Sequence, residues 1–248
     1  FITNSLIGGQ NTVNFAFILY LLARKENIPA DEIGHLVRKW FVMSMLTGRY
    51  SGTPESVIDQ DVRQLNDYGV VNHTRAVFDA TLNDSFWSAL LPQEMDTSSG
   101  ISPYFLVYQA AQVKMKDRGF LSDAIEVSSL LVNRADVHHL FPRNYLKKQG
   151  LSKGRYNQIA NYAIAQSEIN IAIGDKPPAV YFPMLLDQVN GGKKWCGGIT
   201  DKDQLIANLQ EHCVPLDIFN SLAGDYDQFL VERRKLMALK IKEYFNSL

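Results

Sequence analysis

Cysteine is nearly absent from this 248-residue chain: only Cys196 and Cys213 occur, and no Cys-x-x-Cys pair is present. That argues against a zinc ribbon and fits a reducing, cytoplasmic compartment. Long apolar runs are missing too. The longest early one, residues 15–23, falls well short of the roughly 20 residues needed to cross a bilayer, and no signal peptide is legible, so no membrane partner is expected. Neither sign of charge dominates, with 25 Lys and Arg against 26 Asp and Glu. Any affinity for nucleic acid must therefore come from local patches. Gly-x-Gly-x-x-Gly and P-loop patterns are absent, as are internal repeats and low-complexity tracts. The first residue is Phe1 rather than methionine, which leads us to expect a fragment or processed piece with a preceding domain missing.

What is present is helical periodicity on a 46% hydrophobic chain. Residues 11–25 read as a buried helix. Pro29 and Asp31 open a second, in which Ile33, Leu36, Val37, Trp40, Phe41 and Met45 recur at three- and four-residue steps before Gly48. Thr53 and Pro54 start a third, residues 74–92 hold one or two short helices, and Pro103 begins another that runs to about 117. The turn holding Arg49 and Tyr50 reads first as a helix connector and second as a phosphate contact. Later helices are expected near 180–189, 200–212 and 225–245. On the last, Arg233, Arg234, Lys235, Lys240 and Lys242 read first as a solvated face and second as a DNA-facing one. The expected fold is mainly α, in three parts: an all-helical domain over 1–122, a chemistry-bearing motif over 123–182, and a C-terminal helical segment over 183–248.

The chemistry concentrates in residues 136–178. Asp136-Val137-His138-His139-Leu140-Phe141-Pro142 has strand-favouring residues around two histidines, and Pro142 cannot extend a sheet ladder. Residues 159–164 read as the partner strand. Ser167 then opens a helix carrying Asn170, and Gly174 with Pro177 and Pro178 stops it. The order is strand, strand, helix, with His138 and His139 on the first element, Asn161 on the second and Asn170 on the third. Neighbouring strand residues face opposite ways, so bringing both histidines to one site calls for a bend or bulge. Between the strands, Arg143, Lys147, Lys148, Lys153 and Arg155 occur without an acidic residue, and Lys176 follows the helix; all six are candidate phosphate contacts. Trp195, next to Lys193 and Lys194 in a glycine-bracketed loop, reads as a loop anchor that could also stack on a base.

This ordered set resembles the HNH nuclease motif, the ββα-metal finger. The resemblance implies that His139 is the general base, that Asn161 holds it in the right tautomer, and that His138 and Asn170 bind a divalent ion, Mg²⁺ or Mn²⁺. Asp136 either supports the metal shell or caps the strand. Residues 46–61 with Gly48-Arg49-Tyr50-Ser51-Gly52, residues 136–178, and the closing stretch from Asp225 through Phe245 are together similar to the C-terminal half of GmrSD-type proteins. Those resemble modification-dependent restriction enzymes, in which an N-terminal ParB/sulfiredoxin-like domain uses nucleotide and an HNH domain cuts DNA in defence against phage. The family's Asp-Gly-Gln-Gln-Arg signature is absent, so no nucleotide chemistry is expected in this stretch. The expected activity is DNA phosphodiester hydrolysis. Two alternatives stand beside it: a non-catalytic DNA- or protein-binding module, and a nuclease silent without its nucleotide-binding domain.

Overall fold

The computed structural model describes residues 9–133 and 137–248; Asp136 lies outside them. Helices α1 (Gln10–Lys25) and α2 (Ala30–Thr47) pair near the start of the described chain. Apolar side chains at helical spacing put Phe15 and Leu19 of α1 and Ile33, Trp40 and Met43 of α2 in the core. Gly48 ends α2 in the left-handed conformation, at φ +59, which a residue with a Cβ adopts only at a cost. Helices α3 (Pro54–Tyr68) and α4 (Val70–Thr81) follow. A π-helical turn at Phe86–Leu90 then runs into α5 (Leu91–Glu94), and Ser102 caps α6 (Pro103–Met115) through Phe105 N.

The connector after α2 is a pin rather than a spacer. Asp61 of α3 is 1% exposed and accepts Arg49 Nε at 2.8 Å, Arg49 Nη2 at 2.5 Å and the Tyr50 hydroxyl at 2.8 Å. Tyr50 in turn accepts Trp40 Nε1 at 2.9 Å, and His73 of α4 lies 3.6 Å from the same carboxylate. Four elements are thereby tied to one buried acid, and Phe15 closes the cluster with its ring 4.8 Å from Tyr50. Arg49 and Tyr50 are thus occupied inside the fold.

After α7 (Val127–Val132) the chain enters a two-stranded antiparallel sheet, β1 (Val137–His139) and β2 (Tyr162–Ile164). Two short helices lie between the strands, α8 (Arg143–Lys148) and α9 (Lys153–Tyr156), followed by a 3-10 turn at Ile159–Asn161. The helix α10 (Ser167–Ile173) comes next and ends at Gly174, φ +57. Phe120 N adds one more bond to the sheet by donating to Ile164 O, and Arg118 bridges Glu126. Helices α11 (Pro178–Val189), α12 (Lys202–Glu211) and α13 (Tyr226–Asn246) complete the chain. The fold is mainly α, as expected. Among the described residues no helix is long and apolar enough to cross a membrane.

Helix α13 joins the early helices to the sheet. Phe245 meets Phe78 and Trp87 at one end, while Tyr226 and Phe229 pack on Phe141 at the other, with ring centroids 5.1 and 5.0 Å away. Lys235 is exposed as expected, but other basic residues correct the expectation of a solvated face. Arg233 is 0% exposed, because it falls on the same stripe as Leu230 and Met237. Lys240 reaches the buried Asp117 at 2.7 Å, Arg234 pairs with Asp96 and Lys242 with Asp84.

Breaking a buried ion pair by removing one partner strands the other, at a cost of about 3 kcal/mol. Asp61→Ala is therefore expected to lower Tm by roughly 10 °C for a chain of this size. A Tm within about 2 °C of wild type would show that the pin does not hold the helices together.

Candidate active site

The ladder between β1 and β2 pairs Val137 with Ile164, His138 with Ala163 and His139 with Tyr162, without a bulge. Both histidines nevertheless line one cleft of about 300 Å³, together with Val137, Pro142, Arg143, Asn144, Asn170, Gly174 and Asp175. No bend was needed because the sheet is only two strands wide and ends at His139, and each ring finds its own amide partner.

His138 is 1% exposed, stacked on Phe120 at 5.5 Å, and its Nδ1 lies 2.9 Å from Asn170 Oδ1. Burial pushes its pKa down to about 4, while the Asn170 contact pulls the other way and the nearby His139 and Arg233 add to the lowering. The ring is therefore neutral at pH 7, the state in which an imidazole can donate a lone pair to a cation. Its other nitrogen, Nε2, is buried with no partner in the described structure.

His139 is half-buried. Its Nε2 lies 3.0 Å from Oδ1 of Asn157, and its ring stands edge-on to Tyr162 at 5.0 Å. Burial lowers its pKa; the Asn157 bond opposes this and Arg143 adds to it. With Asn157 Oδ1 as acceptor, the proton of the neutral ring sits on Nε2, and Nδ1 keeps its lone pair.

Asn161 is not where the sequence pattern puts it. Its side chain is fully buried, accepts Phe141 N at 2.8 Å, and donates to Phe141 O at 3.0 Å and Tyr156 O at 3.2 Å. The register makes Tyr162 the cross-strand neighbour of His139, so Asn161 falls one residue short of facing it. It clamps the turn after β1 instead, and Asn157 takes the contact with the histidine. A short stretch with two asparagines four residues apart offered both choices; the 3-10 turn decides between them.

The basic candidates divide. Arg143 lines the cleft, and Lys147 and Lys153 are exposed. Lys148 pairs with Asp175 at 3.2 Å and Arg155 with Asp227 at 2.6 Å, exposed pairs that hold little free energy and can open to phosphate. Lys176 donates to Ala172 O and Ile173 O at the end of α10.

Among the described residues no group of three or more His, Cys, Asp or Glu converges on a metal position. The donor set that is present fits an open site rather than a closed one. Neighbouring ligands of an octahedral ion at about 2.1 Å stand about 3 Å apart. His138 Nδ1 and Asn170 Oδ1 are 2.9 Å apart and share a hydrogen bond in which the ring donates, so an ion held between them would take the place of that proton, which would move to Nε2.

No family model matches the chain, and no solved structure does. The chain is similar to an uncharacterized protein of Methanocaldococcus jannaschii, 24% identical across 94% of this chain and 40% of that protein. It thus spans about two fifths of the length of the curated relative it matches.

The buried histidines set a pH dependence. His138 and His212 have pKa values pushed down to about 4 and about 3, against an ordinary 6.5. Between those values the unfolded chain binds protons that the native chain does not, so their contribution is full above pH 6.5 and is lost as pH falls through the window. Asp117, pushed up to about 6 by burial, works the opposite way and offsets part of this. Tm should therefore be lower at pH 4.5 than at pH 7; a flat or rising Tm on acidification would contradict the buried neutral rings.

Proposed function

We propose that the chain is a divalent-metal-dependent endonuclease of the HNH kind that hydrolyses DNA phosphodiester bonds, belonging to a GmrSD-type restriction or phage-defence protein. The observation that carries this is the meeting of His138, Asn170 and His139 in one cleft on a strand, strand, helix unit. In this reading β1, β2 and α10 are the ββα-metal finger.

His139 is the general base. Asn157 holds the Nε2 proton, so the Nδ1 lone pair is free to take a proton from the attacking water. A positioned base of this sort is worth roughly 10²–10⁴-fold in rate. His138 and Asn170 would hold Mg²⁺ or Mn²⁺, with Asp136 as a further supporting group. When bound, such an ion polarises a phosphate oxygen and offsets charge on the leaving oxygen. Arg143 stands at the cleft, where a guanidinium can take two oxygens of one phosphate. Lys147, Lys148, Lys153 and Arg155 on the connector carry the flanking backbone. Asn161 fixes the turn that presents His139 and acts through the fold.

Cytoplasmic action on DNA belongs to the same proposal, as does control by an N-terminal nucleotide-binding domain. The second reading, a nuclease held silent until such a domain acts, is favoured by the length of the relative, which extends well beyond the matched region.

Nicking of supercoiled plasmid tests the proposal. Wild type should nick with Mg²⁺ or Mn²⁺ and stop with EDTA, and His139→Ala should be slower by about 10²-fold or more. Asn157→Ala should retain weak activity, with the acid limb of its pH–rate profile moved lower because the bond that raises the His139 pKa is gone. Equal nicking by His139→Ala would overturn the assignment of the base.

A further inference from the structure

A second hollow lies near the cleft in sequence. Gly174 and Asp175 line the cleft, and the next residue, Lys176, places its ammonium 5.7 Å over the ring of Trp195. Trp195 opens onto the second hollow, of about 720 Å³, bordered also by Pro183, Met184, Asp187, Lys193 and Lys194. We propose that this hollow is a strand-binding subsite, in which an unpaired nucleobase stacks on Trp195 while Lys193 and Lys194 hold its flanking phosphates. It deepens the nuclease reading and rests on it, since it gives the strand entering the cleft a second point of attachment.

The loop is built to present these side chains. Gln188 of α11 is 2% exposed and spends every hydrogen-bonding position of its amide on the loop. Its Nε2 donates to Cys196 O at 2.9 Å and Ile199 O at 2.7 Å, and its Oε1 accepts Trp195 N at 2.5 Å and Cys196 N at 3.0 Å. Gly192 N donates to Asp187 O at 2.9 Å, and Gly192 lies so close to the Asp187 carboxylate that a Cβ would clash. The backbone is thus fixed by Gln188 and Asp187, while the indole packs half-buried against the core and keeps part of its surface at the hollow. Lys193 and Lys194 are both exposed. Asp187 is the one acid on the hollow's border, and it is turned to Gly192. An aromatic face flanked by cations on a preset loop matches single-strand recognition, where stacking tolerates any base and lysines follow the backbone.

The full chain can be tested in EDTA, where binding is read without cutting. Of the three tryptophans, Trp40 and Trp87 are buried, so ligand-induced quenching reports on Trp195. A single-stranded oligothymidylate of roughly ten nucleotides is the probe. Wild-type fluorescence should fall on titration. Trp195→Leu should lose the quench and bind about tenfold more weakly by anisotropy, while Trp195→Phe should bind nearly as wild type. The double variant Lys193→Gln, Lys194→Gln should reduce the slope of log K against log salt by about one. Unchanged affinity in Trp195→Leu would overturn the subsite. If that variant also nicks plasmid as wild type does, the subsite falls and the nuclease stands. Binding lost in Trp195→Leu with no metal-dependent nicking by wild type would keep the strand site and overturn autonomous cutting by this chain.

Discussion

A buried arginine that has no carboxylate partner among the described residues holds the site region to the rest of the molecule. Arg233, 0% exposed, donates through Nη1 to Ala160 O at 2.7 Å and through Nε and Nη2 to His212 O at 3.3 and 3.0 Å. Burial pulls its pKa down, and the neighbouring Tyr108 and Cys213 oppose that. A cation in such a place is tolerated only when its donors are met, and here main-chain carbonyls meet them. Ala160 sits in the turn before β2, so α13 fixes the turn, the turn aims Asn161, and Asn161 clamps Phe141 beyond β1. The arrangement of His139 thus depends on Arg233, more than ninety positions further along the chain. The same charge helps keep the rings of His138 and His212 neutral.

Neutrality suits the chemistry proposed for both histidines. A protonated His138 could not offer a lone pair to an ion, and a protonated His139 could not accept a proton from water. Burial does most of this in each ring; Asn157 leaves the His139 Nδ1 lone pair free, whereas Asn170 holds the His138 proton on Nδ1 until an ion replaces it. The cleft is polar and open, with Arg143 at its edge, which suits a phosphate rather than an apolar ligand.

Much of the fold was legible because its signals are local. The stripe from Ile33 to Met45 and the stop at Gly48 outline α2 almost to the residue, and Gly174 ends α10 where it should. His138, His139 and Asn170, picked out by their order in the sequence, do line one cleft. Asn157 could not, since which of two nearby amides meets the histidine is decided by a contact from α13. Arg233 was legible in principle: it sits three residues after Leu230 and four before Met237, on the apolar stripe, but a run of basic residues reads first as a solvated face. Likewise Arg49 and Tyr50 read as a connector because their partner, Asp61, lies a helix away.

The central claim is that His138 and Asn170 together form an open site for one divalent ion. Calorimetric titration of the metal-free chain with Mn²⁺ tests it without any reference to cutting. The account predicts one ion per chain, bound at least about tenfold more weakly by His138→Ala and by Asn170→Ala. Isotherms that superimpose across wild type and both variants would contradict it.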